Sequence, residues 1–241
     1  MDTFVSHLPA SGQCRRMRGM DSAGCRRGRG ARSLGLSSGV DGGHANVAGM
    51  PKPALLIVDV INHFAFEGAR ALANAANAIC GPLRALRDRF DAAGLPVIYA
   101  NDNWMDWQGE LSDLVASSLA LGGTPALFAE RLAPGPGHFH VLKPQHSAFM
   151  ATALPVLLRQ LGVDRLAIAG IAADSCVLAT AIDAHMRDYW LWIPGDCTAS
   201  RTPALKRAAL HVLRHTCQAD TGPSRRVDPF EVGNGRAAAR T

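Results

Sequence analysis

Three ionisable side chains follow short strand-like runs in this 241-residue chain. Asp59 closes Leu55–Val58, Lys143 follows Phe139–Leu142, and Cys176 lies just beyond Leu166–Ala169. Gly170 breaks the apolar run ahead of the cysteine, and helical spacing resumes at Cys176, which places the thiol in the first turn of a helix. Unpaired N–H groups and the positive end of the helix dipole favour a thiolate there, the nucleophilic form of cysteine. A carboxylate beside a thiol can take its proton and later deliver it to a leaving amine. A lysine ammonium offsets the carboxylate charge and steadies the thiolate. Backbone N–H groups at the helix start can receive a developing oxyanion. Taken singly, each residue has a plainer reading: a buried packing thiol, a turn-capping aspartate, a solvated lysine. Together they outline a thiol acyl-transfer hydrolase.

The elements that must bring these residues together alternate along the chain. Ala54–Val58, Val97–Ala100, Phe139–Leu142, Leu166–Ala169, Tyr189–Ile193 and Thr216–Ala219 read as strands. Between them, Ala69–Ala92, Leu111–Leu121, Leu154–Leu161, Cys176–Arg187 and Pro203–His215 read as helices, with Pro82 expected to kink or divide the first. This alternation predicts an α/β protein with a doubly wound, three-layer fold: a mainly parallel sheet of about six strands with helices on both faces. In such sheets ligands bind outside the carboxyl ends of the strands, where the strand order reverses, and all three residues fall at such ends.

Composition narrows the function classes. Hydrophobic residues make up 48% and charged residues 19%, as in a globular protein. No segment approaches the roughly 20 apolar residues of a membrane span, so no membrane partner is expected. The net charge of +5 is concentrated at the start, where residues 1–50 hold seven arginines, no lysine and three aspartates. That distribution argues against a basic nucleic-acid-binding face on the folded part. Residues 1–50 are Gly-, Ser- and Arg-rich without helical or strand period and are expected to be a disordered, dispensable extension, with Met50 as the functional start. A domain over 51–221 and a flexible tail over 222–241 complete the expected organisation. The six cysteines form no CxxC pair, which points away from a disulfide framework or zinc ribbon and suits a reducing cytoplasm.

Three motifs carry a resemblance: LLIVDVINHF (Leu55–Phe64), VLKPQHSAF (Val141–Phe149) and GIAADSCV (Gly170–Val177). In this order they resemble the isochorismatase-like cysteine hydrolases, the superfamily that includes nicotinamidases and N-carbamoylsarcosine amidohydrolases. The resemblance runs from about Pro53 to Ser224. It implies a catalytic triad of Asp59, Lys143 and Cys176, a cis peptide at Ile171–Ala172, and an oxyanion hole of the Ala172 and Cys176 amides. It further implies cleavage of an amide or ureido C–N bond in a small molecule through a thioester, and a homo-oligomer, dimer or tetramer. Vinyl ether hydrolysis on the same fold, or a non-catalytic binding protein, are the rival readings.

The chain also departs from that pattern. Ile61 and His63 stand where the first motif more usually carries glutamine and an acid, and Ala173 stands where threonine is more usual. Nicotinamidases carry Asp-x-His and a further His after the second strand; here Asp102-Asn103-Trp104 keeps only the acid. His211 and His215 have ligand-like spacing but no acidic motif beside them. A metal-free site without cofactor is therefore expected. Phe64, Asn103, Trp104 and Phe149 are the candidate substrate-binding residues, with Trp107 as a further apolar wall and His63 and His146 as further polar contacts.

Overall fold

The computed structural model describes residues 52–103 and 107–226. The expected extension over 1–50, Trp104 and the tail beyond 226 lie outside these residues. Six strands form one parallel sheet: β1 (Pro53–Val58), β2 (Val97–Asp102), β3 (Phe139–Lys143), β4 (Arg165–Ile171), β5 (Trp190–Trp192) and β6 (Thr198–Ala199). Their order is β3-β2-β1-β4-β5, with β6 pairing beyond the middle of β4. The chain builds outward from β1 to β2 and β3, then returns to the other side of β1 for β4. The strand order therefore reverses between β1 and β4.

Period-two alternation assigns each strand residue to a layer. Leu55 and Ile57 of β1, Val97 and Tyr99 of β2, and Ala167, Ala169 and Ile171 of β4 share one core with helices α1 (Ala69–Ala92), α2 (Leu111–Leu121) and α3 (Gly123–Leu132). Ala54, Leu56 and Val58, Ile98 and Ala100, and Leu166 and Ile168 face the second core, with α4 (Leu154–Leu161), α5 (Cys176–His185) and α6 (Pro203–Thr216). Both faces are covered, so β1 throughout and β2 and β4 along their middle stretches are built from apolar residues, as the sequence reading anticipated.

Three details differ from expectation, each for a local reason. Helix α1 runs unbroken through Pro82, because its buried stripe of Leu72, Ala76, Ile79, Leu83, Leu86 and Phe90 continues across the proline and packs on the sheet. Helix α3 is additional. Gly122 (φ +71°) and Gly123 (φ +60°) break the chain after α2, and Phe128, Ala129 and Leu132 then anchor a new turn of helix. The sixth strand is Thr198–Ala199 rather than 216–219. Helix α6 extends through Thr216, which leaves only Asp220 to bridge Trp192 of β5. Chain packing also continues past 221: Ser224 N–H and Oγ donate to Asp196 (2.7 and 2.8 Å), and Arg89 donates to the Ser224 carbonyl (2.7 Å). No helix among the described residues is long and apolar enough to cross a membrane.

Gly170 does not end β4, which continues to Ile171. Its φ of +119° is open to glycine alone, and a Cβ built there would lie 2.1 Å from the Val58 carbonyl oxygen of β1. The close approach of these two backbones sets the positions of Asp59 and Cys176 relative to each other. Gly170→Ala should cost about 2 kcal/mol or more of stability, read as a lower urea midpoint. An unchanged midpoint would mean that β1 and β4 part without penalty.

Candidate active site

Asp59 follows β1 with φ +52°, a left-handed conformation that aspartate tolerates better than most residues. Its N–H donates to the Ala100 carbonyl of β2 (2.9 Å), which fixes the carboxylate at the strand end. Asp59 Oδ1 accepts from the Asp102 N–H (2.8 Å) and Oδ2 pairs with Lys143 Nζ (2.8 Å). Lys143 is the last residue of β3 and lies in register with Asp102, the last residue of β2. Its ammonium is wholly buried and also contacts Asp102 Oδ1, the Gln145 carbonyl (3.2 Å) and Cys176 Sγ (3.5 Å). The three residues read from the sequence thus converge through the reversal between β1 and β4.

Cys176 opens α5, so its N–H has no intrahelical acceptor. The Ile171–Ala172 peptide before it is cis. In the intervening turn, the Ala173 N–H donates to Ala199 O (2.8 Å), while the Ser175 and Val177 N–H groups donate to Ala172 O (both 3.1 Å). The Ala172 N–H belongs to that cis peptide and the Cys176 N–H to the first turn of α5; these are the two amides expected to form an oxyanion hole.

Electrostatics modify the expectation of a resting thiolate. Burial, followed by the nearby Asp59 charge, pushes the Cys176 thiol up to about 12, against the opposing pull of Lys143. Burial likewise raises Asp59 from 3.8 to about 6, an effect that Lys143 offsets only in part and the Asp102 charge reinforces. The Lys143 ammonium is held well above its ordinary range, because the surrounding anionic groups outweigh its burial. Near neutral pH the site therefore holds a thiol, an ionised Asp59 and a protonated Lys143.

A cavity of about 310 Å³ opens beside this cluster, lined by Asp102, Asn103, Trp107, Lys143, Gln145 and His146, among others. Of the predicted substrate contacts, Asn103 lines it and Trp104 lies outside the described residues. Phe149 sits apart from that lining. It is buried in the second core, tilted against Tyr189 at 6.0 Å with Arg187 over its ring at 4.9 Å, because the loop that carries it turns inward onto α5. Phe64 packs edge-to-face on Phe128 of α3 (6.3 Å) and is also absent from the cavity lining. His63 pairs with Ser117 of α2 (2.8 Å), whereas His146 lines the cavity with Nδ1 3.6 Å from Cys176 Sγ. Two site residues escaped the sequence reading: Asp102 as a partner of Lys143, and Ser175, whose Oγ lies 3.3 Å from His146 Nδ1. Asp102 ends VIYAND as Asp59 ends LLIVD, so the same signal was present in the sequence.

Comparison with known proteins decides the family. Residues 53–221 match the isochorismatase domain model. The chain belongs to the isochorismatase family of hydrolases. It is 35% identical over 167 residues to the uncharacterized isochorismatase family protein YaaI of Bacillus subtilis, covering 69% of this chain and 91% of that protein. It is 28% identical over 184 residues to the ureidoacrylate amidohydrolase RutB of Stutzerimonas stutzeri, covering 66% of this chain and 74% of that protein. Among solved structures, N-carbamoylsarcosine amidase from Thermoplasma acidophilum superposes with a TM-score of 0.58 at 28% identity, covering 73% of this chain and 99% of that one.

Within this isochorismatase-family site, Asp59, Asp102 and Cys176 each offer a ligand atom, all within 4.8 Å of one another. The set does not fit a resident metal, because the Lys143 ammonium already stands among those atoms and an ion there would meet a buried like charge. Activity should accordingly survive exhaustive EDTA treatment, and activity that is lost and then regained with added zinc would overturn this reading. Lys143→Met should leave two carboxylates facing each other without a counter-charge and cost about 3 kcal/mol of stability at neutral pH. Without the cation, the folded-state pKa of Asp59 rises further above its unfolded value. The deficit in urea unfolding should therefore shrink as the pH falls and the carboxylate protonates; a deficit independent of pH would contradict this account.

Proposed function

We propose that this protein hydrolyses an amide or ureido C–N bond of a small molecule through a thioester on Cys176, as an amidohydrolase acting on non-peptide bonds. The observation that carries the reading is the Cys176 thiol held against the buried Asp59–Lys143 pair, next to a cavity of small-molecule size that Lys143 and His146 line. The relatives named for ureidoacrylate and N-carbamoylsarcosine cleavage support the bond type.

The steps follow from the resting protonation state. Asp59 accepts the thiol proton as Sγ attacks the carbonyl carbon, so the thiolate exists only as the new bond forms. The high pKa of the thiol is then no obstacle, because a thiolate of higher basicity is the stronger nucleophile. The Ala172 and Cys176 N–H groups receive the oxyanion. As the intermediate collapses, the C–N bond breaks and Asp59 returns its proton to the leaving nitrogen. Lys143 remains protonated throughout and keeps Asp59 ionised in spite of its burial.

Because burial raises Asp59 to about 6, kcat/KM should fall as the pH drops below about 6 and the base is protonated. Asp59→Asn preserves the shape but cannot accept the proton, and should lose about 10²–10⁴ in turnover while keeping its circular dichroism. A screen of small amides, carbamoyl compounds and ureidoacids for ammonia release supplies the substrate. A folded Asp59→Asn protein with near wild-type turnover would refute the mechanism.

A further inference from the structure

The sulfur of Cys176 has two differently equipped sides. The buried side presents Lys143 Nζ at 3.5 Å and Asp59, which is paired with it. The cavity side presents His146 Nδ1 at 3.6 Å and Ser175 Oγ at 3.8 Å, themselves 3.3 Å apart. His146 is exposed, whereas Asp59 and Lys143 are buried, so water reaches the sulfur from the histidine side.

The ring is held there by its own loop. The neighbouring Ser147 Oγ donates to Asp183, and the Ala148 N–H donates to Thr180 Oγ1 (3.0 Å), both acceptors being on α5. The loop bearing His146 is thereby fastened to the helix that begins with Cys176. A thioester formed at Sγ would carry its carbonyl carbon one bond away from the sulfur, within reach of a water hydrogen-bonded to Nδ1.

We propose that His146 is the base of the second half-reaction, the hydrolysis of the acyl-enzyme. The step rests on the thioester reading above. With the ring proton on Nε2, Nδ1 takes a proton from the water as its oxygen bonds to the thioester carbonyl carbon. The carbonyl electron pair moves to oxygen and then returns as the C–S bond breaks. The departing sulfur takes the proton from Nδ1, so that a carboxylic acid, a neutral thiol and a neutral imidazole result. Asp59 thus serves the formation of the thioester and His146 its breakdown, each from its own side of the sulfur.

The test uses p-nitrophenyl acetate as acyl donor in stopped flow, with wild type, His146→Ala and His146→Gln. Both variants should release one nitrophenolate per site in a burst at the wild-type rate, followed by a steady state slowed about 100-fold or more. Peptide mapping of quenched samples should find acetyl on Cys176. Hydroxylamine, a nucleophile that needs no base, should restore turnover in both variants. Equal steady-state rates in wild type and variants would make His146 a bystander and overturn the proposal. A burst slowed as much as the steady state would assign His146 to activation of the thiol instead. Absence of acetyl-Cys176 in every protein, wild type included, would bring down the thioester reading and this proposal with it.

Discussion

The buried ammonium of Lys143 is the interaction on which the site depends. A cation this deep is tolerated only with counter-charges and hydrogen-bond acceptors in place. Asp59, Asp102 and the Gln145 carbonyl supply them, and each comes from a different part of the sheet edge. Asp102 and Lys143 are register partners on β2 and β3, and Asp59 extends β1, the strand that pairs with both β2 and β4. A slip of one residue in any of these pairings would turn a charge toward a hydrophobic layer. The sheet register and the electrostatic cluster therefore specify each other.

The same cluster settles a competition over the thiol. A helix N-terminus favours an anion by up to about 2 kcal/mol in well-placed cases. Moving a thiol from 9.0 to about 12 corresponds to an opposing effect of about 4 kcal/mol, dominated by burial. Burial wins, and the position that looks electropositive from its place in the helix holds a neutral thiol. The consequence for the proposed chemistry is a base that acts during attack, not a cation that prepares a thiolate beforehand. An oxidant or alkylating agent that reacts with free thiolates would find little of that form at rest.

Around the charged centre, polar contacts fasten loops to the elements that bear the reacting groups. Asp183 accepts from Ser147 and pairs with Arg187 (2.6 Å), and Arg187 covers the Phe149 ring. Together with Thr180, these residues bind the loop after β3 to α5. Phe149 belongs to this fastening, buried in the second core beneath the Arg187 guanidinium.

Much of this was legible in the chain itself. Apolar runs at Leu55–Val58 and Leu166–Ala169, too continuous for a one-sided sheet, required helices on both faces. An acid, a cation and a thiol placed just beyond such runs required a site at the strand ends, since nothing in packing explains charge there. Other features depended on distances between segments far apart in sequence. Pro82 could be carried within α1 only because a buried stripe continued on either side of it. The need for glycine at 170 arose from the Val58 backbone of another strand, and Asp102 became a partner of Lys143 through register alone. The protonation state of Cys176 likewise was decided by tertiary structure: the helix start is a local fact, whereas burial and the approach of Asp59 exist only once the sheet has closed around them.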